Sequence, residues 1–269
     1  MNKRVAFIGG GNMASAMVGG LLRQGLSAAD IDVVEPFADA QKKLLADFGI
    51  SAHAQAGDFL STAGMVIWAV KPQIFKEAAA DVRPFTADAL HLSVAAGIRS
   101  DSIAQWLGTE RVVRCMPNTP ALIGKGMTGM FARASVGPYD RLWAGDVVAG
   151  TGEFLWLTDE NHLDAVTALS GSGPAYMFYL METMTAAGVA MGLEQAQAYK
   201  LAVATFIGAG ELAKASHEPP EVLRQRVTSK GGTTHAAISS MDQNDIKGLF
   251  TQALFAAQQR ARELGEVLG

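Results

Sequence analysis

Two short stretches of this sequence concentrate groups that bind anions. Val227-Thr-Ser-Lys-Gly-Gly-Thr-Thr-His235 packs two glycines and four hydroxyls into nine residues between segments of helical pattern. Successive N–H groups around Gly231 and Gly232, ahead of a helix starting near Thr234, form a nest for an anion such as a carboxylate, and Ser229 adds a hydroxyl donor. The competing reading is an interhelix turn in which Thr233 or Thr234 caps the helix. The second stretch, Gly9-Gly10-Gly11-Asn12-Met13-Ala14, fits G-x-G-x-x-A directly after an apolar run. Gly9 permits the tight turn, Gly11 lets the backbone approach a diphosphate, and Ala14 keeps helix and strand close. The diphosphate rests on the free N–H groups of the first turn, at Asn12 and Met13, where the helix dipole is positive. On the first strand of a βαβ pattern, this is a dinucleotide fingerprint.

Three more blocks fall where such a cofactor crosses a sheet. Glu35 ends the second apolar run. There a carboxylate bonds the adenine ribose hydroxyls, favours NAD and repels the 2′-phosphate of NADP. A solvated strand-end glutamate is the alternative. No arginine follows it closely; Lys42 and Lys43 come one or two turns later. Ala69-Val70-Lys71-Pro72 and Ala95-Ala96-Gly97 follow further buried runs. Pro72 is placed to start a helix, and the small residues 95–97 admit a flat ring. Lys71 reads equally as a catalytic acid, a phosphate contact or a solvated lysine. Met116-Pro117-Asn118-Thr119-Pro120 is a turn stiffened by two prolines. None of the histidines at 53, 91, 162, 217 and 235 pairs with a neighbouring histidine or cysteine, so no metal is expected.

The elements that must position these groups divide the chain. Apolar runs at 5–8, 31–34, 65–70, 90–94 and 112–115 read as strands buried on both faces of a parallel sheet. Helical segments such as 13–24 and 39–48 lie between them, and runs at 127–131 and 153–157, flanking a helix at 139–149, extend the sheet. Beyond residue 158 only helical periods occur, at 163–169, 175–191, 194–215, 220–227, 234–241 and 244–264, with Asp159 and Asn161 as candidate caps. This predicts an α/β fold: a Rossmann-like doubly wound dinucleotide-binding domain at 1–158 and an all-helical dimerisation and substrate-binding domain at 159–269. The segment 175–191 carries Met177, Phe178, Met181, Met184 and Met191 with Glu182 as its only charge. Such a helix must be buried all round, more than its own domain supplies, so a homodimer is expected.

Composition excludes several classes. With 49% apolar and 18% charged residues the chain is compact rather than disordered. A net charge of −4 with scattered lysines and arginines offers no stripe for nucleic acid. Cys115 is the only cysteine, which rules out an intrachain disulfide and fits a reducing cytoplasm. The charged start resembles that of a signal peptide, but its apolar run breaks at Gly9, and no apolar stretch long enough to span a membrane follows. A cytoplasmic protein without membrane partners is expected.

The blocks Gly9 to Ala14, Ala69-Val70-Lys71-Pro72, Ala95-Ala96-Gly97, Pro117-Asn118-Thr119-Pro120, Ser170-Gly-Ser-Gly-Pro-Ala175 and Gly231-Gly232-Thr233-Thr234, in that order over nearly the whole chain, resemble pyrroline-5-carboxylate reductases. The resemblance implies hydride transfer from NADPH or NADH to the C=N bond of 1-pyrroline-5-carboxylate, giving L-proline in the last step of its synthesis. It implies interlocked helical dimers, often assembled into a decamer, with active sites shared across the dimer interface. It assigns the substrate to Ser229, Gly231, Gly232, Thr233 and Asn118, and sets the catalytic Thr234 hydroxyl near the ring nitrogen. The cofactor falls to Gly9, Gly11, Asn12, Met13, Glu35, Ala69, Val70, Lys71, Pro72, Ala95, Ala96 and Gly97. The chain departs from the pattern at Lys230 (usually proline), Gly64 (usually acidic), Ala56 (commonly asparagine) and Glu35 (commonly small and polar). The nearest rival, a 3-hydroxyacid dehydrogenase, expects a lysine soon after the glycine-rich start of the interdomain helix, and here none occurs from Ser170 until Lys200. A non-catalytic nicotinamide-binding regulator would need no intact Gly-Gly-Thr-Thr loop.

Overall fold

The computed structural model describes residues 4–268; the charged start at 1–3 lies outside the described residues. The chain forms two compact units. The first runs to Ser172 and takes the chain back from Ala257, and the second is Gly173–Ala256. The division therefore falls beyond the predicted one at residue 158, because the short helix and turn that follow the last strand stay with the sheet.

In the first unit, strands β1 (Val5–Ile8), β2 (Ile31–Val34), β3 (Met65–Trp68), β4 (Leu90–Ser93), β5 (Val112–Met116), β6 (Gly126–Ala132) and β7 (Gly152–Leu157) form one sheet in the order β2-β1-β3-β4-β5-β6-β7. The first five are parallel; β6 runs antiparallel to β5, and β7 parallel to β6. Helices α1 (Asn12–Arg23), α2 (Ala38–Phe48), α3 (Phe75–Val82), α4 (Ser100–Leu107), α5 (Pro138–Ala149) and α6 (His162–Val166) complete it. The strands are apolar throughout because alternate residues feed two cores. Phe7, Val33, Ile67 and Leu92 enter one with Val18 and Val147. Ala6, Ile8, Val66 and Trp68 enter the other with Phe75 and Ile103.

Strands β3 and β4 stop short of their apolar runs, at Trp68 and Ser93. The residues beyond, predicted as strand, instead leave the sheet to form its carboxyl edge. A single 3-10 turn, Pro72–Ile74, precedes α3. Outside β2, His53 makes a one-residue parallel bridge with Val34 and stacks on Phe59. Helix α6 ends in a π-helical turn, Thr167–Gly171, where a continuous helix was expected.

The second unit consists of α7 (Gly173–Ala190), α8 (Gln195–Ala215), α9 (Pro220–Arg226), α10 (Thr233–Gln243) and the first turns of α11 (Ile246–Leu268). Helices α7 and α8 approach closely at Gly188, where a Cβ would lie 2.8 Å from that of Ala198. Gly188 is also the only buried residue of α7, and Phe178 and Tyr179 are largely exposed. Within one chain, α7 is thus not buried all round, as its composition demands. No helix among the described residues is long and apolar enough to cross a membrane.

Candidate active site

The glycine turn after β1 sits where the sheet's connections diverge, with β2 on one side and β3 on the other, the place where open α/β sheets bind ligands. Gly9 has φ +95°, a left-handed conformation, and a Cβ there would lie 2.8 Å from the Ala69 carbonyl oxygen. Its N–H donates to Val34 O at 2.8 Å, which pins the turn to β2. Gly11 is different. A Cβ on it would meet no protein atom within 4 Å, so packing within the chain does not explain a glycine there. Gly11 N-caps α1 with no side-chain cap, leaving the N–H groups of Asn12, Met13 and Ala14 without intrahelical partners. A diphosphate fits this cradle: open space over Gly11, free donors and the positive end of a twelve-residue helix.

The same edge carries the other blocks. Ala69, Val70, Lys71 and Pro72 follow β3, and Ala95, Ala96 and Gly97 follow β4, with φ +80° at Gly97. Ala95 donates its N–H to the buried Ser93 hydroxyl at 3.3 Å. Beside them opens a cleft of about 640 Å³, lined by Gly9, Pro36, Ala56, Val70, Glu77 and Asp81 among others.

Glu35 is 5% exposed, so it is not a solvated strand-end glutamate. One carboxylate oxygen accepts from Gly10 N at 2.7 Å and the other from Phe37 N at 2.9 Å. Glu35 braces the glycine turn from behind. Gly10 must be glycine to allow it, since a Cβ would fall 2.7 Å from Leu44 and 3.2 Å from the Glu35 side chain.

Asn118 also has its side chain committed to the protein. Its Oδ1 accepts from Met127 N at 2.9 Å, and its Nδ2 donates to both the carbonyl and the hydroxyl of Ser170 at 3.2 Å. The residue brackets the turn after β5, the start of β6 and the π-helical turn. Sequence reasoning missed a further buried cluster. Glu160 accepts from Ser100 N at 2.7 Å, Ser100 Oγ at 2.6 Å and Arg114 Nη1 at 2.9 Å. It ties the start of α4 to β5 and to the approach of α6. Cys115 is wholly buried, and burial pushes its thiol up, out of reach of nucleophilic chemistry.

In the second unit, the 229–234 segment is a turn closed by Gly232 N–H donating to Ser229 O at 3.0 Å, with φ +77° at Gly231. A Cβ on Gly232 would sit 2.7 Å from Ser229 Oγ, so the glycine makes room for that hydroxyl. Gly232 is the N-cap of α10 and no side chain caps the helix. Neither Thr233 nor Thr234 is the cap, so that competing reading fails. Gly232's own N–H is spent on closing the turn. The outward donors are therefore those of Thr233, Thr234 and His235, which have no intrahelical partner. Among the described residues, the hydroxyls of Ser229 and Thr234 make no hydrogen bond, whereas Thr228 Oγ1 donates to Arg224 O at 2.6 Å.

Comparisons with known proteins place the whole chain. A model for pyrroline-5-carboxylate reductase dimerisation matches residues 160–264, and one for NADP oxidoreductases, coenzyme F420-dependent, matches residues 4–97. The chain is 45% identical to the pyrroline-5-carboxylate reductase of Pseudomonas aeruginosa over 99% of its own length and 98% of that protein's. It belongs to the pyrroline-5-carboxylate reductase family. The reductase of Haemophilus influenzae is 37% identical over 98% of both chains. Among solved structures, the reductase from Coxiella burnetii superposes with a TM-score of 0.92 at 34% identity, covering 98% of this chain and 99% of that one. The Plasmodium falciparum enzyme, solved with NADP bound, gives 0.87 at 26% identity, covering 98% of both chains.

The departures of this chain from the family pattern fall in different surroundings. Lys230 is exposed on the turn, Gly64 bonds through its backbone to Arg4 and Leu90, and Ala56 lines the cleft. Only Glu35 is built into the support of the cofactor turn.

Proposed function

We propose that this chain reduces 1-pyrroline-5-carboxylate to L-proline. Bound NADPH or NADH supplies the hydride for the C=N carbon. The observation that carries this reading is the 229–234 turn, with its uncapped helix start and two unengaged hydroxyls, in a chain whose other unit builds a dinucleotide cradle. The substrate is a small ring with one carboxylate and one imine nitrogen. The turn offers N–H donors and Ser229 for the first and Thr234 for the second.

The roles follow from chemistry. Gly11, Asn12 and Met13 receive the diphosphate, with Asn12 and Met13 as backbone donors, and Gly9, whose N–H is held by Val34, sets the turn beneath it. Lys71, with Ala69, Val70 and Pro72, contacts the cofactor at the β3 edge, and Ala95, Ala96 and Gly97 leave room for the flat ring. The Ser229 hydroxyl and the N–H of Thr233 hold the substrate carboxylate, and Gly231 and Gly232 shape the turn that presents them. Hydride transfer depends chiefly on orientation, and fixed near-attack geometry supplies several kcal/mol of the barrier. The Thr234 hydroxyl is too weak an acid to protonate the imine near neutral pH. It orients the nitrogen and passes on a proton from water. Asn118 acts from behind, holding the turn after β5 in place. Homodimerisation, with further assembly into a decamer, covers the apolar faces of α7 and α8, and the setting is cytoplasmic.

The test is direct: purified protein with 1-pyrroline-5-carboxylate, following oxidation of NADH and NADPH in parallel and proline formation. Turnover with at least one cofactor supports the reading. No oxidation with either, in a folded protein that binds them, overturns it.

A further inference from the structure

The last turns of α11 return to the first unit and close a cavity of about 400 Å³ with β5 and the N-terminal ends of α4 and α6. Its walls hold more charge than they use. Arg114 is the deepest member, only 5% exposed. Its Nη1 donates to Glu160 at 2.9 Å, and its side chain makes no other hydrogen bond among the described residues. A guanidinium is a flat fork of N–H donors with no acceptor, so most of this fork is left to the cavity that Arg114 lines. Buried donors without partners are costly, and more so on a cation. Arg99, half-buried, uses one nitrogen on Asn161 Oδ1 at 3.2 Å. Arg262 of α11 makes no ion pair among the described residues. Two carboxylates, Asp164 and Glu266, share the lining and pair with none of the three arginines.

Charges of both signs that line one small cavity without neutralising each other suit a ligand that carries both signs. Guanidinium forks match a carboxylate in a planar, bidentate way. Asp164 and Glu266 repel a bare dianion such as phosphate, and they accept from an ammonium. We propose that this cavity binds a free α-amino acid, with its carboxylate on Arg114 and Arg99 and its ammonium toward Asp164 and Glu266. The α11 wall is set by close packing rather than by a loose end. A Cβ on Gly265 would lie 3.4 Å from the Gly97 carbonyl oxygen, so the helix rests against the turn after β4. Arg99 follows Gly97 by two residues and caps α4, which fixes the opposite wall to the same turn. Every lining residue belongs to the first unit, so the site does not depend on how the substrate turn at 229–234 is used.

The test is calorimetric titration of the full chain with glycine, L-alanine, L-glutamate and L-proline, with acetate and inorganic phosphate as plain anions. At least one amino acid should bind about tenfold or more tighter than either anion. Arg99→Ala and Arg262→Ala should each weaken that binding about tenfold, the loss of a charge-assisted hydrogen bond. Asp164→Asn keeps the shape of the side chain and removes its charge. It should weaken the amino acid and leave acetate unchanged or tighter, a split that marks recognition of an ammonium. The three substitutions fall on half-buried or exposed side chains, so the fold should hold, which far-ultraviolet circular dichroism checks. The same variants separate this cavity from the substrate turn, since an amino acid held at 229–234 would bind them as it binds the native protein. No amino-acid binding up to about 10 mM, or binding that all three variants leave intact, overturns the proposal. Acetate or phosphate binding as tightly as the amino acids overturns it too.

Discussion

His91 links the pH of the solution to the stability of the sheet that carries the cofactor turn. It lies in β4, 1% exposed, between two partners. Trp68 Nε1 donates to its Nδ1 at 3.0 Å, and its Nε2 lies 3.2 Å from the Thr86 carbonyl. Because the indole can only donate, Nδ1 must be the bare nitrogen and Nε2 must carry the proton. Protonation would place an N–H against the Trp68 N–H. Burial, aided by the positive charge of Arg111 and opposed by the bond to Thr86, lowers the pKa from 6.5 to about 4. The unfolded chain therefore takes up a proton on this ring in acid before the native state does. The contribution of His91 is fully present above pH 6.5 and drains away as the pH falls toward 4. At about 1.36 kcal/mol per unit over that gap, the loss is about 3 kcal/mol. The assay is urea unfolding at fixed protein concentration, so that oligomer dissociation is held constant, across this window for the native protein and His91→Gln. The glutamine offers Trp68 an acceptor and Thr86 a donor but does not titrate. The variant should be less stable above pH 6.5 yet lose less on acidification, by up to about one proton's worth of slope. Identical slopes in the two proteins would refute the reasoning.

Three further outcomes are expected. Gly11→Val should leave the fold intact, since a Cβ there has no protein atom within 4 Å, and abolish measurable cofactor binding by calorimetry; unchanged affinity would mean the open space is not where the diphosphate sits. Thr234→Ala and Thr234→Val should each lower kcat by roughly 10- to 100-fold, if the hydroxyl is worth about 1.4 to 2.7 kcal/mol in the transition state. Ser229→Ala should instead raise KM with kcat largely retained. Near-normal kcat in both Thr234 variants would return the turn to a purely structural role. Asn118→Ala removes three hydrogen bonds and should cost about 2 to 3 kcal/mol in denaturant stability. An unchanged unfolding midpoint alongside raised KM would make Asn118 a substrate ligand rather than a bracket.

The parallel strands are legible in the sequence because both faces of the sheet are covered, which leaves uninterrupted apolar runs with period-two contributions to two cores. Helices α3 and α4 carry no comparable mark. Each spans only eight residues, too little for a period to stand out from neighbouring loops. The boundary between units differs from the expected one for a related reason. Helix α6 reads like the helices after it, and its attachment to the sheet depends on the buried Glu160–Arg114 pair and the Asn118–Ser170 bonds, which join residues 46 and 52 positions apart. No local pattern encodes such pairs.

Glu35 and Asn118 show where reading by residue type stops. A carboxylate or an amide beside a ligand-binding motif can bind the ligand or hold the motif, and both tasks call for the same donors and acceptors. Type and position cannot separate them; strand register can. Phe7 pairs with Val33 and Ile8 with Val34, so the residues that follow, Gly9 and Glu35, leave the sheet side by side, and the next amide along, Gly10 N–H, falls within reach of the carboxylate. The βαβ pattern implies a parallel first pairing, and in-phase alignment of the two apolar runs is enough to bring Glu35 to the glycine turn. Asn118 has no such route. Its partner Ser170 lies in a π-helical turn, and the extra residue of that turn, which brings the Ser170 carbonyl and hydroxyl to one amide, leaves no mark in the spacing of the sequence.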